Sequence, residues 1–162
     1  MIGTAPLDVR VVDYGHPDAA ALVAAVQQVY VERYGGADAT PVAPAEFAPP
    51  AGLFLVGYLD GAPVTCGGWR LRAAGPGLPA TDAELKRMYV VAAARGQGFA
   101  RRLLTELERT AAEAGARRLV LETGTRQPEA IELYRSAGYQ PIAGFGFYRD
   151  KPGSRYFGKL LG

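Results

Sequence analysis

A short glycine-rich segment, Arg95-Gly96-Gln97-Gly98-Phe99-Ala100, contains residue types that can bind an anion. Gly96 and Gly98 carry no Cβ atom, so a phosphate can approach the backbone closely. Apolar residues at helical spacing follow the segment, and the first amides of a helix lack intrahelical partners. The helix dipole adds partial positive charge at the same place. The segment therefore predicts a phosphate site at a helix N-terminus, with Arg95 and Arg101 adding positive charge.

The spacing within this loop separates the candidate phosphate ligands. A nucleoside-triphosphatase loop needs a lysine and then Ser or Thr after its second glycine, and no such lysine is present. A dinucleotide-binding loop is a nearer alternative, because Glu122 follows at about the distance that would contact a ribose. However, Arg101 occupies the third glycine position of that motif, and its bulk opposes close helix–strand packing. Taken alone, the two glycines fit equally well a turn that only joins a strand to a helix.

The elements around the loop predict a single α+β domain over residues 1–162. Apolar periodicity and turn signals predict the order β-α-β-β-β-α-β-α-β-β with one parallel crossover. Asp60-Gly61 predicts a tight hairpin, Gly115 and Gly138 predict helix ends, and Gly35–Pro50 predicts a surface loop with at most a short helix. The predicted strands span 7–12, 53–59, 63–71, 84–91, 118–122, 139–142 and 155–161. The first predicted helix begins near residue 17, and the other two predicted helices span 98–114 and 129–137.

Composition argues against several classes of protein. The formal charge of +2 over 162 residues is too small to favour nucleic acid. The single cysteine, Cys66, excludes an internal disulfide, and the single histidine, His16, excludes a histidine-rich metal site. Residues 1–8 lack the pattern of a signal peptide, and the apolar stretch Ala19–Val26 is too short to cross a bilayer. We therefore expect a cytoplasmic protein without a metal and without nucleic-acid or membrane partners.

Three segments in order resemble the GNAT N-acetyltransferase family. Residues 95–100 match its Arg/Gln-x-x-Gly-x-Gly/Ala motif, and Leu85–Val90 is similar to its fourth strand. Ala130–Tyr139 is similar to its Ala-Ile-x-Leu-Tyr-x-x-x-Gly-Phe/Tyr segment. The resemblance covers about a third of the chain well. It implies an α/β/α sandwich whose central sheet is mixed, mostly antiparallel and about seven-stranded, with helices on both faces.

The resemblance also implies an acetyl-CoA-dependent acyltransferase in which a primary amine of a small molecule or peptide attacks the thioester directly. The pyrophosphate of acetyl-CoA would lie on residues 95–100 and Arg101. The pantetheine arm would lie where the fourth and fifth strands separate and would pair with the fourth strand as an added strand does. The implied contacts on that strand are Met88, Tyr89 and Val90, with the backbone of Met88 and Val90 making the pairing.

Three further residues have implied roles near the thioester. Family members often have an asparagine that contacts the cofactor where this sequence has Gln127. Tyr134 is the implied general acid, although a phenol with a pKa near ~10 hydrogen-bonds a thiolate more easily than it protonates one. Glu84 is the implied general base, since an amine with a pKa near ~10.4 must lose a proton. The alternatives are core packing for Tyr134 and a solvated charge at a strand end for Glu84.

The acceptor pocket is expected to come from segments in which the resemblance is weakest. Aromatic walls can hold a cationic amine, and six aromatic residues are candidates: Trp69, Tyr30, Tyr34, Phe145, Phe147 and Tyr148. We expect Cys66 to be an inert packing residue and His16 to be a helix cap or a surface group. We expect Arg87, Arg117 and Arg118 to lie in solvent or near cofactor phosphates.

A second function remains open at this point, namely a non-catalytic acyl-CoA sensor or protein-interaction module of the same fold. It predicts tight cofactor binding without turnover. The sequence does not name the acceptor or the length of the acyl group. Many members of the family dimerise, so a homodimer is a further expectation from the resemblance.

Overall fold

The computed structural model describes residues 6–40, 42–71 and 81–162. Pro41 of the predicted surface loop and residues 1–5, which lie in the segment compared above with a signal peptide, are outside the described residues. The order of strands and α-helices is the predicted one: β1 (Asp8–Val11), α1 (Pro17–Tyr34), β2 (Gly52–Leu59), β3 (Ala62–Leu71), β4 (Asp82–Val90), α2 (Phe99–Glu113), β5 (Arg118–Gly124), α3 (Pro128–Ser136), β6 (Gln140–Pro141) and β7 (Ser154–Leu160). Short 3₁₀ helices at Pro44–Phe47 and Ala92–Ala94 complete the described chain.

The strands form one seven-stranded mixed sheet in the order β1-β2-β3-β4-β5-β7-β6. Every neighbouring pair is antiparallel except β4 and β5, which are parallel, so the single predicted crossover is confirmed. Helix α1 packs on one face, where Leu22 joins Phe54 and Val56 in a buried cluster. Helices α2 and α3 pack on the opposite face, where Leu107 and Tyr134 share a second cluster with β3, β4 and β5. The predicted α/β/α sandwich is confirmed.

Local signals at the ends of elements explain most of the boundaries. The imidazole of His16 caps α1 by accepting a hydrogen bond from the amide of Asp18 at 3.1 Å. Asp60 and Gly61 both have positive φ angles, 50° and 82°, as the predicted tight hairpin turn requires. The predicted helix over 98–114 ends one residue too late, because Ala114 lies beyond the last helical residue of α2 and is exposed.

Strands β4 and β5 separate soon after they meet. Their pairing runs only from Asp82–Glu84 to Arg118–Val120. Beyond that point β4 stays paired with β3 and β5 stays paired with β7. The inner backbone edges of the two strands therefore face each other across a wedge-shaped opening in the middle of the sheet.

A β-bulge lies on β4 beside this opening. Cys66 of β3 pairs with Tyr89, whereas Gly68 pairs with Lys86, so two residues of β4 oppose one residue of β3. Arg87 is one of those two and has a φ of 63°, in the left-handed region that few residues other than glycine adopt. The bulge places Lys86 and the adjacent Arg87 on the same face of the sheet, the α1 face, where both contact Asp38.

Candidate active site

A cleft of about 380 Å³ fills the opening between β4 and β5. Helix α1 and the segment after it form one wall, α3 forms the other, and the segment before β7 closes one end. The lining residues with polar or reactive side chains are Tyr30, Tyr34, Asp38, Lys86, Arg87, Met88, Glu122, Thr123, Gln127, Tyr134, Tyr148, Lys151 and Ser154. The volume is near the lower end for small-molecule sites, about 300–1,000 Å³, so the cleft suits a narrow donor arm and a small acceptor.

Tyr134 lies at the α3 wall of the cleft and is only 5 % exposed. Its ring packs edge-to-face against Tyr139, with the ring centroids 5.6 Å apart. Burial raises the pKa of the Tyr134 phenol well above its ordinary value. The hydroxyl therefore stays protonated at neutral pH, where it can donate a hydrogen bond but gives up its proton reluctantly.

Two other predicted residues line the same cleft. Met88 does so from β4, and its side chain packs with the α2 face of the core. Gln127 does so from the start of α3, where its backbone amide donates to the carbonyl of Gly124 at 3.1 Å. Its side-chain oxygen lies 3.4 Å from the hydroxyl of Tyr34, which reaches across from α1. The amide that replaces the family's asparagine therefore reaches the cleft.

The predicted phosphate loop lies outside this cleft, at the exposed start of α2. Gly96 and Gly98 have φ angles of 80° and 81°, so the backbone itself requires glycine at both positions. A Cβ at either would point into open space. No side chain caps the N-terminus of α2 within the described residues, and the loop from Arg95 to Gly98 is exposed. Open space and uncapped amides together fit a pyrophosphate group.

The remaining predicted donor contacts surround this loop. Arg95 donates from Nε to the carbonyl of Val90 at 3.0 Å, and its guanidinium lies 5.8 Å from the ring centroid of Tyr89. Phe99 is buried and anchors the first turn of α2, whereas Ala100 is only partly covered. Arg101 is exposed and donates to the hydroxyl of Ser136 at the end of α3. The positive charge expected around the loop is therefore present.

Glu122 lines the cleft from β5, on the α1 face of the sheet. Burial raises the pKa of its carboxyl group, and Asp38 raises this pKa further, while Ser154 and Lys86 oppose the rise. A carboxylate with a raised pKa is a better proton acceptor than an ordinary one. The sequence suggested Glu122 only as a ribose contact, because a single acidic residue in a strand carries no signal of its own.

Three charged side chains meet beside Glu122. Lys86 Nζ and Arg87 Nη1 each lie 2.6 Å from Oδ2 of Asp38, and all three side chains are largely buried. Burial alone would raise the pKa of Asp38, but Lys86 and the hydrogen bonds from Thr40 hold it well below its ordinary value. The expectation that Arg87 lies in solvent or near cofactor phosphates is wrong, because the bulge turns it to the α1 face.

Glu84 does not line the main cleft. It is 5 % exposed, and its Oε1 lies 3.0 Å from Nη2 of the buried Arg70. The alternative interpretation of Glu84 as a solvated charge is therefore wrong. A cavity of about 10 Å³, close to the volume that one water molecule needs, lies between Glu84 and Glu122.

The aromatic candidates divide into two groups. Tyr30, Tyr34 and Tyr148 line the cleft. Trp69, in contrast, packs on the opposite face of the sheet, where its indole nitrogen donates to Thr110 Oγ1 at 2.9 Å. The other two candidates lie away from the main cleft, since Phe145 is buried and Phe147 is 55 % exposed.

Cys66 has the environment of a packing residue. It is fully buried, its Sγ donates to the carbonyl of Arg87 at 3.2 Å, and burial raises the pKa of the thiol. Within residues 6–40, 42–71 and 81–162, no group of three or more His, Cys, Asp or Glu side chains could hold a metal ion. In the same residues, no helix has both the length and the apolar character needed to cross a membrane.

Comparison with known proteins agrees with this geometry. The family model of the acetyltransferase (GNAT) family matches residues 23–139. The chain is 39 % identical over 108 residues to an IAA acetyltransferase of Azospirillum brasilense, covering 67 % of each protein. A Klebsiella pneumoniae structure described as a candidate acyl-CoA N-acyltransferase has a TM-score of 0.79 and 28 % identity, covering 96 % of this chain and 98 % of the other.

A candidate acetyltransferase from Salmonella typhimurium, solved with its cofactor acetyl-CoA, shares the fold with a TM-score of 0.68 and 18 % identity. That alignment covers 98 % of this chain and 95 % of the other. The antiparallel sheet with one parallel crossover disagrees with the dinucleotide-binding alternative. The chain belongs to the GNAT family of acetyltransferases and is an N-acetyltransferase.

Proposed function

We propose that this protein transfers an acetyl group from acetyl-CoA to the primary amine of a small molecule. One observation carries the proposal: the opening between β4 and β5 brings Tyr134 and Glu122 to the same cleft from opposite faces of the sheet. An amine attacking a thioester needs a proton acceptor on its own side and a hydrogen-bond donor for the departing sulfur. These two side chains have those two properties.

The donor half of the proposal rests mainly on backbone groups. The exposed loop 95–98 and the uncapped amides of α2 suit the pyrophosphate, and Arg101 adds charge beside it. The inner edge of β4 at Met88–Val90 faces the opening and suits the amides of the pantetheine arm. The carbonyl of Val90 already accepts from Arg95, so Arg95 ties the loop to the strand that would hold the arm.

The reaction then follows from the positions of the two side chains. The carboxylate of Glu122 accepts a proton from the ammonium form of the acceptor. The free amine attacks the thioester carbonyl, a C–N bond forms, and the C–S bond breaks as the tetrahedral intermediate collapses. The attacking nitrogen gives its second proton through water to the thiolate, so the products are the amide and the free thiol, and Glu122 then returns its proton to solvent. Tyr134 donates a hydrogen bond to the departing thiolate. Because burial raises the pKa of Tyr134, we assign it hydrogen-bond donation and not complete proton transfer.

Two carboxylates compete for the role of base. Glu122 lines the cleft and has a raised pKa. Glu84 is not among the lining residues and forms an ion pair with Arg70. The small cavity between them could hold one water, through which Glu84 would receive the proton in a second step. We propose Glu122 as the group that meets the amine, and Glu84 as the candidate for a water-mediated role.

Purified protein incubated with acetyl-CoA and a panel of amines should release free thiol, measured colorimetrically. Calorimetry should separately detect acetyl-CoA binding. Tyr134→Phe should lower kcat by about 10- to 100-fold, because this factor corresponds to the free energy of one hydrogen bond to a charged group. The acetyl-CoA Kd of the variant should stay within about twofold of the wild-type value. If wild-type protein does not bind acetyl-CoA, the proposal fails.

Tight acetyl-CoA binding without turnover of any amine would instead support the alternative of a non-catalytic sensor. In that case Tyr134→Phe should change neither binding nor the interaction with a partner protein. The proposal also includes a cytoplasmic location, supported by the single unpaired cysteine.

A further inference from the structure

The acceptor side of the cleft has an unbalanced charge. We call Lys86 and Arg87 the basic pair. Both side chains are buried, with 8 % and 4 % of their surface exposed, and both contact the same oxygen of Asp38. Buried charges are costly unless they are paired, and here two cations share one carboxylate. The group of three therefore holds a net charge of about +1 beside the cleft.

Glu122 does not remove this imbalance when it acts as the proton acceptor. Its pKa is raised by burial, and its charge is neutralised once it takes the proton of the amine. Glu84 contacts Arg70, which also contacts the half-exposed Glu46, so Glu84 belongs to a separate ion-pair group. Within the described residues, Arg87 Nε is buried and has no hydrogen-bond partner, and Arg87 is among the residues that line the cleft. The basic pair therefore has donors and charge available for an anion.

We propose that the acceptor is an amine that also carries a carboxylate, as a free amino acid does, and that Lys86 and Arg87 bind this carboxylate while Glu122 meets the amine. The inference rests on the proposed acetyl transfer. A single negative charge matches the excess of about +1, whereas a phosphate dianion would leave the site negative beside Asp38 and Glu122. Tyr30, Tyr34 and Tyr148 form the remaining wall, which suits an apolar or aromatic side chain.

A matched pair of acceptors tests the carboxylate directly. L-phenylalanine and L-phenylalaninamide share the same side chain and differ in the charge at one carbon. The amide has the lower amine pKa, close to the ~7.7–8.0 of an α-amino group, so more of it is in the reactive free form. We nevertheless expect kcat/KM to be about 10- to 100-fold higher for L-phenylalanine than for L-phenylalaninamide. This factor corresponds to the free energy of one hydrogen bond to a charged group.

Lys86→Met should reduce this preference to less than about threefold, since it removes one cation and keeps an apolar stem of similar length. Lys86 also lowers the pKa of Glu122, but that effect applies to both acceptors and cancels in their ratio. Arg117→Met removes an exposed cation away from the cleft and should keep the wild-type ratio. The acetyl-CoA Kd, measured for each variant, verifies that the protein is folded. Arg87→Met provides a second test of the basic pair.

The possible outcomes separate this inference from the proposed function. If the amide or phenethylamine is acetylated as efficiently as L-phenylalanine and other amino acids, the inference is overturned and acetyl transfer stands. If Lys86→Met and Arg87→Met both keep the preference for the acid, the assignment to the basic pair is overturned. If no amine or amino acid is acetylated, both the inference and the proposed function fail.

Discussion

The two faces of the sheet meet the cleft with different kinds of chemistry. On the face covered by α2 and α3, the proposed donor side contains backbone amides, two glycines with left-handed φ angles and the buried phenol of Tyr134. On the face covered by α1, the proposed acceptor side contains charged side chains from Asp38, β4 and β5. We infer that the donor side binds acetyl-CoA through groups that do not depend on the acceptor, whereas the acceptor side determines which amine is acetylated.

This difference predicts where substitutions act. Changes on the donor side should alter the binding of acetyl-CoA, because the phosphate loop lies outside the cleft that the acceptor side lines. Changes on the acceptor side should alter turnover and stability while leaving the acetyl-CoA Kd close to the wild-type value. Each of the following substitutions tests that separation.

The largest effect is expected for Glu122→Gln. Loss of the proton acceptor should lower kcat by about 100- to 10,000-fold, the usual contribution of a general base, with the acetyl-CoA Kd unchanged. Glu84→Gln is the matched control, and we expect it to lower kcat by less than about tenfold. Steady-state rates from pH 6 to 9 measure both. A larger loss for Glu84→Gln than for Glu122→Gln would transfer the role of base to Glu84.

A second test concerns Asp38→Asn, which leaves the basic pair without its counter-charge. Breaking a buried ion pair on one side costs about 3 kcal/mol, which lowers the Tm by about 6–12 °C for a chain of this size. Asp150→Asn, at a site 91 % exposed, should change the Tm by less than about 2 °C. Thermal unfolding followed by circular dichroism measures both variants. An equal Tm for the two would contradict the importance of the buried cluster.

The same variant has a pH dependence of defined sign. The pKa of Asp38 is lowered in the folded protein, so its contribution to stability is present above its unfolded pKa of about 3.9. The contribution is lost as the pH falls from that value towards the folded pKa. The Tm difference between wild type and Asp38→Asn should therefore be constant between pH 7 and 5 and decrease below pH 4.

The smallest of the three effects is expected on the donor side, for Gly98→Ala. A residue with a Cβ costs about 1–2 kcal/mol at a left-handed φ, so the loop should shift and acetyl-CoA should bind about 5- to 30-fold more weakly. Gly115→Ala carries a similar strain, at a φ of 95°, at the opposite end of α2. It should lower the Tm but leave the acetyl-CoA Kd unchanged. Equal Kd values for Gly98→Ala and wild type would exclude this loop as the phosphate site.

The sequence predicted the fold and the local geometry of the glycine loop for a physical reason. Element order follows from apolar periodicity and turn residues, and both are local. The phosphate loop depends on glycines at fixed spacing before a helix, which is also a local signal. Small errors, such as Ala114 at the end of α2, arise because the periodic pattern continues past the point where the helix ends.

The acceptor side could not be predicted in the same way. Asp38 lies 48 residues from Lys86, and their pairing depends on where α1 ends over the sheet. The expectation that Arg87 lies in solvent or near cofactor phosphates fails because strand alternation, counted without a bulge, gives no reason to bury an arginine beside a lysine. Glu122 became a candidate only when burial and the neighbouring charges were known.

The bulge at Arg87 also has a consequence for how this enzyme can diverge. A one-residue insertion in β4 resets the inward–outward phase of every later position in that strand. We infer that the β4 residues proposed to hold the donor and those proposed to select the acceptor are neighbours in sequence but can change independently. Removing Arg87 would restore regular pairing, because Lys86 would still oppose Gly68 and Tyr89 would still oppose Cys66. We therefore expect this deletion to remove one member of the basic pair and to leave the faces of the other β4 residues unchanged.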